Sequence, residues 1–127
     1  MDDWSYCAGT LPKVSRTFAL NISVLRGDLH RSVLIAYLFC RTIDTVEDAG
    51  KLGAPAKIRL LLDFAALLQD PEHRGSALDR WIEDISAVDG NPADLELLQN
   101  AGRVFNIFDT LRENHKQQIS SSVCTMA

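Results

Sequence analysis

Residues 28–48 constrain what this chain can fold into more than any other stretch. Across them Leu34, Ile35, Ala36, Leu38, Phe39, Cys40, Ile43 and Val46 cover most of a helical circumference, and the polar exceptions fall on one line. At about 100° per residue, Tyr37, Arg41, Asp44 and Asp48 lie within roughly 60° of one another. A helix apolar on nearly every side needs protein around it. The segment therefore predicts a central helix whose polar stripe faces an interior cavity. The absence of lysine between Lys13 and Lys51 points the same way. Two carboxylates one turn apart, with an arginine and a phenol above them, suit Mg²⁺ and the phosphate oxygens it bridges. The same spacing also suits a solvated face, with Arg41 and Asp44 as an i, i+3 ion pair.

The rest of the chain agrees with a helical protein. Its 127 residues suit one domain and bury a sizeable core without staples. With 46% hydrophobic and 24% charged residues the composition is that of a globular protein. A net charge of −4 argues against non-specific nucleic-acid binding, which needs a basic face. An anionic substrate would have to be drawn in by local groups or bound metal. Cys7, Cys40 and Cys124 are odd in number and far apart, fitting a reduced, cytoplasmic compartment and small core or near-surface roles. The acidic start, Met1-Asp2-Asp3-Trp4, lacks a signal-peptide pattern, and the longest apolar stretch, 33–40, is too short to span a bilayer. Peripheral contact with a membrane surface stays open, with no anchor in view.

Helical periodicity dominates and no segment alternates like a strand, so the expected class is all-α, a helical bundle. A short helix is expected over 4–8, with Gly9 and Pro12 as punctuation. Ser15 reads as the N-cap of a brief helix through Leu20, and the central helix follows over 28–48. Gly50, Gly53 and Pro55 then lead into a helix over 56–69 with Ile58, Leu61, Leu62, Ala65 and Leu68 on its apolar face. Leu78, Trp81, Ile82 and Ile85 mark another up to Val88. A last long segment from Ala93 carries Leu95, Leu98, Ala101, Val104, Phe105, Phe108 and Leu111, then bends near Asn114 and continues through Ile119, Val123 and Met126.

Ser15-Arg16-Thr17-Phe18 ahead of Tyr37-x-x-x-Arg41-x-x-Asp44-Thr-Val-Glu-Asp48 resembles the squalene/phytoene synthase family of head-to-head prenyl synthases. The resemblance is strong over residues 6–48, including Leu11-Pro12 and Gly27-Asp28-Leu29, and Asp44-Thr-Val-Glu-Asp48 looks more like the squalene branch. It implies an all-α isoprenoid synthase-type fold that joins two allylic prenyl diphosphates, such as farnesyl diphosphate, through a cyclopropyl intermediate. In the squalene branch NADPH often reduces that intermediate. It further implies that Asp44 and Asp48 hold Mg²⁺, that Arg41 and Tyr37 contact the diphosphate or line the reaction centre, that Ser15 and Arg16 hold a diphosphate, and that Phe18 walls the prenyl pocket. Taken singly, Ser15 is equally an N-cap, Arg16 a surface charge, Tyr37 a packed ring and Phe18 core.

The family's second aspartate-rich motif, expected on a later helix across the cavity, has no counterpart here. Glu83-Asp84 comes too early and reads as a solvated face. The expectation is one helical domain over 1–127, the N-terminal portion of a longer prenyl synthase, inactive alone and prone to self-association through exposed apolar faces. The alternative is a non-catalytic helical module of the same fold that binds an isoprenoid or a protein partner.

Overall fold

The computed structural model describes residues 2–126. Among them the chain forms α1 (Asp3–Val14), α2 (Arg16–Ile22), α3 (Gly27–Asp48), α4 (Ala54–Gln69), α5 (Arg74–Asp84), α6 (Pro92–Gln99), α7 (Ala101–Phe108) and α8 (Glu113–Met126). Short 3₁₀ turns, Pro71–His73 and Ile85–Ala87, flank α5. No strand occurs among the described residues, as the all-α expectation requires.

Helix α3 is the axis of the bundle. Its 22 residues extend about 33 Å, and α1, α4, α6, α7 and α8 all pack on it. It begins at Gly27, whose φ of 58° is a left-handed conformation that a side chain would make costly. Phe39, on the side of α3 away from the stripe, anchors the core. Its ring centroid lies 5.7 Å from Phe64 of α4, 4.9 Å from Phe105 and 5.4 Å from Phe108 of α7. Trp81 of α5 closes the cluster at 5.2 Å from Phe64, and its indole N–H donates to the Leu60 carbonyl at 3.0 Å. Burying each such ring contributes about 1.5–3 kcal/mol, which explains why α3 sits where the aromatic residues of three other helices meet.

Three details differ from the expectation. Helix α1 does not stop at Ala8 but runs through Pro12 to Val14. Proline lacks an N–H and crowds the preceding turn, yet here it lies in the last turn, and burial of Tyr6, Cys7, Thr10 and Leu11 holds the face together. Helix α4 buries Leu60, Leu61, Phe64, Leu67 and Leu68, while Ile58 and Leu62 remain 58% and 61% exposed. The large Phe64 ring, wedged between Phe39 and Trp81, sets the rotation. The segment from Ala93 is two helices, broken at Asn100, whose side chain donates to the Glu96 carbonyl at 2.9 Å and so ends α6.

Other expectations hold. Trp81, Ile85 and Val88 are buried, as are Ile119 and Val123 of α8, and Glu83 and Asp84 are exposed. The Met126 side chain and Ala127 lie outside what the structure describes. None of the three cysteines is in a disulfide. Cys7 is fully buried, and burial pushes its thiol up to about 12.

Candidate active site

The polar stripe of α3 opens onto a cleft of about 100 Å³, lined by Arg41, Asp44, Thr45 and Asp48 from α3 and by Asp89, Gly90 and Asp94 from the segment entering α6. The enclosed cavity expected from the circumference of α3 is not formed. Arg41 and Asp44 are half-buried and Asp48 is exposed, where the stripe meets the end of the α5–α6 connection and the first turn of α6.

Arg41 does not pair with Asp44. Its Nε donates to Asp94 Oδ1 at 3.0 Å and its Nη2 to Asp94 Oδ2 at 2.8 Å, a side-on bidentate pair joining the middle of α3 to the first turn of α6. That pairing, more than any neighbouring charge, raises the arginine's already high pKa. Asp94 is fixed in turn by Asn91, the N-cap of α6. Asn91 Nδ2 donates to Asp94 Oδ2 at 2.8 Å, and the Asp94 N–H donates to Asn91 Oδ1 at 2.9 Å. These bonds form a reciprocal cap, with Pro92 preset for the first helical position.

Asp89 ties the lip of the cleft to the loop after α3. It accepts the Lys51 N–H at 2.9 Å and the Gly50 N–H at 3.3 Å. The Lys51 bond is the main reason its carboxyl is held below the usual carboxylate range. Four aspartates and one arginine thus share one concavity.

Phe18 of α2 stacks on Tyr37 at 4.1 Å between centroids and 16° between planes, joining the two aromatic candidates. Ser15 acts as the N-cap of α2, its Oγ accepting the Phe18 N–H at 3.2 Å, while its own N–H ends α1 on the Leu11 carbonyl. Arg16 is exposed. The structure therefore brings Arg41, Asp44 and Asp48 into one cleft and Phe18 onto Tyr37, while Ser15 and Arg16 do not line that cleft.

The stretch that carries both groups also decides the family. The squalene/phytoene synthase family model matches residues 11–126. This chain belongs to that family. Among curated squalene synthases, the BSS protein of Botryococcus braunii is 42% identical over 79 residues, 62% of this chain and 17% of its own length. That of Mus musculus is 41% identical over 68 residues, 54% of this chain and 16% of its own. That of Mycosarcoma maydis is 32% identical over 120 residues, 94% of this chain and 19% of its own. The solved structure of TcSQS in complex with a ligand superposes with a TM-score of 0.69 at 25% identity, covering 96% of this chain and 33% of that one. The helices are those of a terpenoid synthase-type fold, and the chain spans less than a fifth of these curated relatives' length.

Within this squalene/phytoene synthase-type scaffold, the donor set suits a hard cation in part. Asp44 and Asp48 offer carboxylate oxygens, the chemistry Mg²⁺ takes. Among the described residues, however, no group of three or more histidines, cysteines or carboxylates is assembled to hold a metal. Sequence reasoning missed Asp94 and Asp89. A weak local signal existed for Asp94, since Asn91-Pro92-Ala93-Asp94 has the spacing of a cap and its third helical residue.

Proposed function

We propose that this chain forms the diphosphate-binding wall of a prenyltransferase that condenses two allylic prenyl diphosphates, such as farnesyl diphosphate, head to head. Membership of the squalene/phytoene synthase family supports the reaction class. The observation that carries the residue assignment is the convergence of Arg41, Asp44 and Asp48 on one cleft, with residues 32–46 of α3 buried or half-buried in the bundle.

Ionisation breaks the allylic C–O bond, and its electron pair departs with the diphosphate. That leaving group needs positive charge fixed in advance. Arg41 supplies a guanidinium held by Asp94, and Asp44 and Asp48 are the residues that would hold Mg²⁺. Bound there, the metal would neutralise the departing diphosphate electrostatically. The stacked Phe18 and Tyr37 offer an apolar wall one turn along α3, suited to the prenyl chain and to excluding water from the cation. Ser15 and Arg16 are the second anion contact in this proposal, and no residue here is assigned to NADPH.

One carboxylate pair is half of a metal site, so the 127-residue chain is expected to bind Mg²⁺ and farnesyl diphosphate weakly and to release no pyrophosphate. Calorimetry with both ligands should show Mg²⁺-dependent binding that Asp44→Asn and Asp48→Asn each abolish. Undiminished binding in both variants would reject the metal assignment. Pyrophosphate release by the chain alone would reject the need for facing helices. Leu20, Val24 and Leu29, 73%, 74% and 52% exposed, favour a second reading in which α2 and the start of α3 take a partner, an isoprenoid or another copy of the chain.

A further inference from the structure

We infer that Asp94 is a positioning residue for Arg41, holding the guanidinium so that the edge away from Asp94 faces the cleft and stays off Asp44. The inference rests on the proposed diphosphate role of that cleft. Side-on pairing through Nε and Nη2 engages two of the five N–H groups of a guanidinium. By the planarity of the group, the remaining ones, on Nη1 and the outer side of Nη2, point away from Asp94.

Burial fixes which partner is the anchor. The Asp94 side chain is 8% exposed and that of Arg41 31%, so the carboxylate is embedded and the guanidinium projects from it. Asp94 cannot swing outward without breaking both arginine bonds and the bond from Asn91. Its backbone is held as well, through the N–H on Asn91 Oδ1. At the other end, Thr45 Oγ1 donates to the Arg41 carbonyl at 2.8 Å, tying the turn of α3 from which the arginine extends.

Without Asp94, the nearest carboxylate along α3 is Asp44, three residues on and at pairing distance on a helix. Arg41 would fold onto it, removing both a cation and a metal ligand from the cleft in one move. Asp94 thus keeps opposite charges in the same site from cancelling each other.

The test uses the ¹⁵N-labelled 127-residue chain titrated with inorganic pyrophosphate and MgCl₂, followed at the Arg41 Nε–H resonance. The wild type should show a slowly exchanging Nε–H that shifts on titration. Asp94→Asn should lose the slow exchange and weaken binding about tenfold, the size of effect seen when a partner behind a ligating group is removed. Asn91→Ala, which spares the carboxylate, should give a smaller loss, and Asp94→Glu should restore part of the protection. Arg41→Gln serves as the reference for a lost contact. If Asp94→Asn binds as the wild type does, or more tightly, while Arg41→Gln binds less, the positioning role is overturned and the cleft assignment stands. If pyrophosphate leaves the wild-type Arg41 signal unmoved, the cleft assignment itself falls and takes this inference with it.

Discussion

Two arginine–aspartate pairs differ in hydrogen-bond geometry and in which partner is buried. At the junction of α4, α5 and α7, Arg74 is the buried partner, 6% exposed, and Asp109 is 48% exposed. Its Nη1 reaches both Asp109 oxygens at 2.7 and 2.8 Å, its Nε donates to the Leu67 carbonyl at 2.8 Å, and its Cζ lies 4.5 Å from the Phe105 ring centroid. Its Nη2 is buried with no hydrogen-bond partner among the described residues, a cost that the aromatic ring offsets in part. At the cleft the order is reversed, with Asp94 buried and Arg41 turned outward. A buried guanidinium braces the fold, whereas a buried carboxylate leaves its arginine available to something else. The polarity of burial, more than the presence of an ion pair, separates the arginine that braces the fold from the one left at the cleft.

Stability should register that difference. Asp109→Ala leaves the Arg74 charge in a nearly dry position, and because Asp109 is itself half exposed the loss should be about 2–3 kcal/mol, the cost of leaving a buried charged donor short of its partner. Asp94→Ala strands an arginine that water can reach, so the loss should be about 1.5 kcal/mol, the size of one hydrogen bond to a charged group. Urea unfolding followed by circular dichroism measures both. Equal losses would mean that Arg41 braces the fold as firmly as Arg74 does, and the distinction between the pairs would fail.

How far the sequence anticipated these features follows from the range of the forces involved. Helix α3 and the Ser15 cap were legible because continuous apolar cover and capping chemistry act within a few residues. The run of α1 through Pro12 and the rotation of α4 about Phe64 were not, since tertiary burial overrode local propensity in each. The break at Asn100 depends on a side chain choosing its own preceding carbonyl, which the apolar pattern on either side conceals. At the site, the alignment of Tyr37, Arg41, Asp44 and Asp48 on one line of α3 was readable from spacing, and Arg41, Asp44 and Asp48 of that line border the cleft. Asp94 was not, because its partner is 53 residues away and no periodicity links them. The openness of the cleft was equally hidden: an apolar circumference says that a helix is covered, but not how deep the gap over its polar line will be.

The smallest expected effect has the opposite sign. Helix α3 ends on Glu47 and Asp48 with no basic residue in its last turn, so acidic charge sits where the helix dipole is already negative. Asp44 lies one turn before Asp48, adding like-charge repulsion on the same face. Lys57 answers part of this from α4, its Nζ donating to the Glu47 carbonyl at 2.7 Å, a bond made to the backbone and not to the Asp48 carboxylate. Asp48→Asn should therefore stabilise the chain by about 0.5 kcal/mol at low ionic strength, with the gain shrinking in about 1 M salt as the charges are screened. Removing Asp109 or Asp94 should weaken the fold, whereas removing Asp48 should strengthen it, the sign expected of a residue set against local electrostatics. A fall in the urea midpoint of Asp48→Asn would show that Asp48 braces the end of α3, and the cleft would lose its clearest mark of function.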